Sequence, residues 1–129
     1  MPTHIYPSLR YRDATAAIGF LERAFGFEHV ASHEGPDGRI QHAEMRWGAS
    51  MIMFGEETEE TVERFGEHAG RSWNYVTVTD ADAHHDRAKA AGAEITNELT
   101  DQDYGSRDYG ATDPEGNRWS FGTYDPLSG

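Results

Sequence analysis

The sequence has no cysteine in its 129 residues. This removes disulfides, thiolate nucleophiles and Cys-ligated zinc together, so any metal would have to be held by His, Asp or Glu. Long apolar runs are missing too: nothing approaches the roughly 20 residues of a membrane-spanning helix, and no membrane partner is expected. The opening stretch MPTHIYPSLR lacks the apolar core of a signal peptide, which makes a cytoplasmic protein the expectation. Basic residues are scarce, 11 Lys and Arg against 23 Asp and Glu, for a net charge of −12 with neutral histidines. Such a surface repels phosphate backbones, so nucleic acid is not expected as a partner. Nucleophile elbow, phosphate-binding loop and dinucleotide fingerprint are all absent.

Much of the acidity is gathered in EETEETVERFGE, residues 56 to 67. A run of that kind reads as an exposed connector or short helix that favours solubility rather than as a binding surface. The length suits one compact folding unit, and residues 1–129 are read as a single domain.

An internal repeat organises the chain. YPSLRYRDATAAIGFLERAFGFE, residues 6 to 28, matches WNYVTVTDADAHHDRAKAAGAE, residues 73 to 94, in its order of signals. Each begins as an alternating strand, reaches Asp13 or Asp80, runs through a helical stretch to Gly26 or Gly92, and resumes at Glu28 or Glu94. The two Asp are 67 residues apart and the two Gly 66. Asp13 is placed to cap a helix whose stripe is Ala17, Ile18, Leu21, Ala24 and Phe25, with Gly26 as a left-handed stop. Three strands follow each helix, over about 27 to 34, 39 to 47 and 50 to 54 in the first half and about 93 to 98, 107 to 112 and 118 to 124 in the second. In DPEGN, residues 113 to 117, Gly116 and Asn117 both tolerate a left-handed turn. The expected fold class is α+β: tandem βαβββ modules, about 1–58 and 70–129 around an acidic connector at 56–69. They form half-open, curved, antiparallel-rich sheets with a ligand cleft and helices on the outer face.

With AHHDRAKAAGAEI and DPEGNRWSFGTY, this tandem arrangement resembles the vicinal oxygen chelate superfamily, which includes glyoxalase I, extradiol dioxygenases and bleomycin-resistance proteins. In that superfamily's enzymes a divalent metal is held by His or Gln on the first strand and Glu on the fourth strand of each module. Carried over by position, those places fall on Tyr6 and Met53 in the first module and on Trp73 and Ser120 in the second. None is an ordinary hard-metal ligand, so the resemblance implies the metal-free antibiotic-binding branch, with no metal and no cofactor.

Strand alternation puts Tyr6, Ser8, Arg10, Met53, Trp73, Tyr75, Thr77, Arg118 and Ser120 on cavity-facing positions, a set suited to a flat aromatic molecule. The alternative is that Trp73 and Tyr75 fill a core. QDYGSRDY, with Tyr104, Arg107 and Tyr109, reads as a pocket rim or a plain surface loop. His42 and Glu44 share a strand face as an acid/base pair, an improvised metal pair or a polar stripe. His84 and His85, about 100° apart on a helix, read as a solvated face, and His4, His29, His33 and His68 show no partner pattern.

The expected function is non-catalytic sequestration of a small aromatic natural-product antibiotic, giving resistance, in a homodimer whose clefts both chains complete. The alternatives are a metal-dependent lyase or dioxygenase using His42 and Glu44, a metal-free isomerase or cyclase, and a ligand sensor or carrier.

Overall fold

The computed structural model describes residues 3 to 128 and divides into two compact units, one up to Gly70 and one from Arg71 on. The first runs β1 (Ser8–Tyr11), α1 (Ala14–Phe20), β2 (Glu28–Glu34), β3 (Ile40–Trp47) and β4 (Ser50–Glu56), followed by α2 (Glu59–Phe65). The second runs β5 (Trp73–Thr77), α3 (Ala81–Ala90), β6 (Glu94–Asp101), β7 (Arg107–Thr112) and β8 (Arg118–Gly122). Strand orders are β1-β4-β3-β2 and β5-β8-β7-β6. In each unit the first strand lies parallel to the last and the other pairings are antiparallel. The fold is therefore α+β, two βαβββ modules that each carry an open four-stranded sheet.

The helix ends follow from single residues. Asp13 accepts the Ala16 amide and Asp80 the Ala83 amide, each at 3.0 Å, satisfying a first-turn donor that the helix itself cannot. Gly26 and Gly92 adopt φ of 83° and 92°, the left-handed conformation that a Cβ disfavours. The one-residue difference between the two repeat spacings also has a structural cause. Past Phe20 the first helix widens into a π-turn over Leu21–Phe25, and α3 has no such turn. A π-turn is how a helix absorbs a single extra residue without rotating its buried face. The stripe shifts accordingly: Phe20 enters the core with Ala17, Leu21, Ala24 and Phe25, while Ile18 is only half-buried.

The turn into β8 is pinned by a buried carboxylate. Asp113 Oδ1 accepts the amides of Glu115 and Asn117 at 3.1 and 3.0 Å, and its Oδ2 accepts the Trp119 indole N–H at 3.1 Å. Gly116 alone in this turn takes positive φ, at 98°; Asn117 does not, and uses its Oδ1 to accept from the Ser72 amide and hydroxyl. These bonds set the phase of β8: Trp119 and Phe121 are buried, whereas Arg118 is exposed and Ser120 half-buried. In the first unit the same alternation buries Leu9, Tyr11, Ile52 and Phe54, with Tyr11 edge-on to Phe54 at 4.9 Å. Each sheet thus has one filled face and one open face, and the candidate residues of each unit lie on its own open face.

The 56 to 67 acidic run is in part helical. Thr58 and Thr61 form a reciprocal cap at the start of α2, and Gly66 ends it with φ of 67°. No helix among the described residues is long and apolar enough to cross a membrane.

Candidate functional site

In the second unit the parallel pairing sets Trp73 beside Arg118 and Tyr75 beside Ser120, so these four side chains share the open face. Trp73 is 69% exposed. Its indole N–H donates to Ser120 Oγ at 3.1 Å, and the Arg118 guanidinium carbon lies 5.5 Å from the ring centroid. The hydroxyl at position 120 thereby has a role that its small size alone does not suggest: it holds the edge of an exposed indole while Arg118 makes a cation–π contact.

Farther along the same face three tyrosines converge. The Tyr75 hydroxyl donates to the Tyr124 carbonyl at 2.6 Å, and Tyr104 meets Tyr124 edge-on, with ring centroids 5.6 Å apart and planes at 82°. Asp108 joins them through Tyr104, accepting from Gln102 Nε2 at 2.9 Å and from the Tyr104 hydroxyl at 3.4 Å. Gly122 makes this approach possible, because a Cβ there would lie 2.7 Å from the Tyr75 hydroxyl and 2.8 Å from Asp108 Cβ. Desolvation first, and the nearby Asp108 carboxylate as a further cause, raise both the Tyr75 and Tyr104 phenols above the ordinary value. Asp108 and Tyr124 were missed by sequence reasoning, although alternation from Arg107 signals that Asp108 takes the opposite face.

Two rim residues expected from the sequence lie elsewhere. Tyr109 is 2% exposed and belongs to the filled face, stacked on Phe121 at 5.3 Å with its hydroxyl 2.6 Å from His84 Nδ1. Burial pushes its phenol far above the ordinary value. Arg107 shares that side of β7 and is bound by Asp82 at 2.9 and 3.0 Å and by Asp101 at 3.2 Å. Neither lines the open face, because β7 begins at Arg107 and its phase puts 107, 109 and 111 against the helix. His84 and His85 are likewise not a solvated face. His84 packs on Phe121 at 4.3 Å, and His85 is buried, bonded to Asp86 and Glu98 at 3.0 and 2.9 Å. In a helix so rich in Ala and His, these rings supply the packing that aliphatic residues supply in α1.

In the first unit the open face carries Ser8, Arg10, His42, Glu44 and Met53. Tyr6 precedes the strand: β1 starts at Ser8, because Pro7 has no N–H for the ladder and contributes only its carbonyl, to the Met53 amide at 3.0 Å. Ser8, not Tyr6, therefore stands opposite Met53. Arg10 donates to Glu67 Oε2 at 2.9 Å. His42 Nε2 lies 2.8 Å from Glu44 Oε2, and the His42 ring stacks on His33 with centroids 6.3 Å apart, so His33 has a partner that the sequence did not signal. His68 also has one, Glu57 at 3.8 Å, and His4 packs on Tyr6 at 5.7 Å.

The strand positions that a metal enzyme of this fold uses do not fit a divalent ion. An indole N–H has no lone pair to offer, Ser120 is a neutral hydroxyl that accepts from that indole, and Met53 is a soft thioether opposite a serine. Among the described residues no three His, Asp or Glu side chains are grouped to hold a metal.

Comparison with known proteins agrees with this architecture. Residues 3–121 match the family model described as Glyoxalase/Bleomycin resistance protein/Dioxygenase superfamily. An uncharacterized protein of Mycobacterium bovis is 32% identical over 127 residues, covering 90% of this chain and 80% of that one. Among solved structures, TioX from Micromonospora sp. ML1 superposes with a TM-score of 0.80 at 31% identity, covering 94% of this chain and 98% of its own. A glyoxalase/bleomycin resistance protein/dioxygenase family enzyme from Burkholderia phytofirmans PsJN gives 0.71 at 25% identity, covering 91% of this chain and 94% of its own.

Proposed function

Because the chain belongs to the Glyoxalase/Bleomycin resistance protein/Dioxygenase superfamily, we propose that it binds a small aromatic natural product on the open face of its second sheet and releases it unaltered, protecting the cell by sequestration. The observation that carries this reading is the exposed but restrained indole of Trp73, held by Ser120 and faced by Arg118. A large aromatic side chain left open to water at a fixed angle is a stacking platform whose ordering cost is met before the ligand arrives. The Trp73–Ser120 bond supports this reading, because it puts an indole and a hydroxyl at the two positions that carry ligands in a metal enzyme of this fold.

The reading includes a homodimer. Two modules with one open face each leave Trp73, Tyr75 and Tyr124 exposed, and a second chain would complete the enclosure of a ligand. A second reading rests on the His42–Glu44 pair: a metal-free enzyme of the same superfamily that uses this pair to move a proton. Native mass spectrometry against a panel of flat aromatic antibiotics, followed by chromatography of the released compound, separates the two. Sequestration returns the compound intact, and catalysis returns a product.

A further inference from the structure

Asp108 lies on the opposite side of β7 from buried Tyr109 and Ala111. Its two hydrogen-bond partners, Gln102 and Tyr104, are both neutral, and among the described residues no Arg, Lys or His is paired with it. The cations nearest in sequence and on the sheet are already engaged. Arg107 turns to the opposite side of β7 and binds Asp82 and Asp101, and Arg118 lies over Trp73. The carboxylate instead meets the Tyr104 hydroxyl, whose ring packs edge-on against Tyr124 with planes at 82°, and Tyr75 is tied to the Tyr124 carbonyl. Gly122 leaves the space in which Tyr75 and Asp108 come together.

A carboxylate without a counter-charge, close to a group of electron-rich rings, is complemented by a cation that is weakly hydrated and broad enough to touch the rings. An anion would be repelled, and a neutral group would leave the charge uncompensated. We propose that Asp108, Tyr104 and Tyr124, with Tyr75, form a recognition corner for an alkylammonium group carried by the ligand, one end of a molecule whose aromatic part stacks on Trp73. The assignment rests on the ligand-binding reading of this face, which it sharpens to a cationic amphiphilic aromatic. The phenols remain neutral across the physiological range, as cation–π recognition beside a carboxylate requires, since both are raised.

The probes are choline and its uncharged isostere 3,3-dimethyl-1-butanol, titrated into the full chain while tyrosine side-chain NMR shifts are followed. Choline should saturate the Tyr104 and Tyr124 signals, and the isostere should bind at least about tenfold more weakly. Asp108→Asn and, separately, Tyr104→Leu should each weaken choline about tenfold, while Arg64→Ala, on the exposed helix α2, should leave it within about twofold. Circular dichroism confirms that each variant is folded, and Tyr104→Leu keeps the test intact where Asp108→Asn is not. Equal affinity for the isostere, no saturation by choline, or choline binding unchanged in both folded variants overturns the proposal. If choline behaves as expected but Trp73→Ala leaves binding of flat aromatic compounds intact, the corner stands and the stacking platform fails.

Discussion

The indole N–H of Trp73 donates to Ser120 Oγ at 3.1 Å across the β5–β8 pair, joining the two strand positions of the second module that a metal enzyme of this fold would fill with ligands. Ser120 thus acts as a positioning group for an aromatic platform. Trp73→Ala should lower affinity for a flat aromatic ligand by at least about thirtyfold, about 2 kcal/mol, from lost apolar burial. Ser120→Ala should cost about fivefold, about 1 kcal/mol, because the ring remains but loses its anchor. Neutralising the acidic run at residues 56 to 67 should change affinity less than about twofold at physiological salt, where exposed charges are screened. Titration calorimetry ranks the three, and an acidic-run variant that loses more affinity than Trp73→Ala would refute the stacking account.

Gly122 has no positive φ, so its requirement for glycine is one of space. Gly122→Ala should destabilise the second unit by about 1–3 kcal/mol, the usual cost of overpacking, and displace the Tyr75 ring. Gly55, the matching position of the first module, is hemmed in by the Gln41 carbonyl and the Arg10 guanidinium and should behave likewise. Urea denaturation reads both. A stability change below about 0.5 kcal/mol for either would show that the neighbours yield freely.

Alkaline pH should unfold the protein through Tyr109. Its folded-state pKa is raised by burial above the ordinary 10.0, so between those values the unfolded chain binds fewer protons than the native one. Stability from this source is fully present below pH about 10 and is lost as pH rises beyond it. Tyr109→Phe should flatten that decline while lowering stability at neutral pH by about 1 kcal/mol for the lost bond to His84. Urea midpoints measured from pH 8 to 11 check both effects, and an unchanged alkaline slope in the variant contradicts the assignment.

What the sequence made legible was whatever local backbone chemistry dictates. Asp13 caps, Gly26 and Gly92 stop, and β3, β4 and β7 begin within one residue of where alternation places them. Placement of the aromatic residues was less legible. Tyr109 looked like a rim residue because it follows a Gly-rich loop, yet its register partner is Phe121 and its phase is that of buried Ala111. His84 and His85 lie on a helix too poor in aliphatic residues for hydrophobic pattern to show which side is buried. The Tyr75–Tyr124–Asp108 cluster joins residues distant in sequence and could be found only once β7 and β8 were paired.

The homodimer is tested by sedimentation. The account predicts twice the chain mass at micromolar concentration, with the Trp73 and Tyr75 face protected from solvent on association. A stable interface of this kind covers roughly 800 Å² per partner. A monomer that binds ligand at full affinity refutes the shared cleft.

The most direct test of the central claim is recovery of the bound compound. The protein is incubated with an aromatic antibiotic selected by native mass spectrometry, denatured, and the released compound analysed by chromatography and mass against untreated material. Sequestration predicts an unchanged compound recovered in stoichiometric amount from the parent protein and from His42→Ala, with binding greatly reduced in Trp73→Ala. A converted compound whose formation stops in His42→Ala contradicts the account and establishes catalysis.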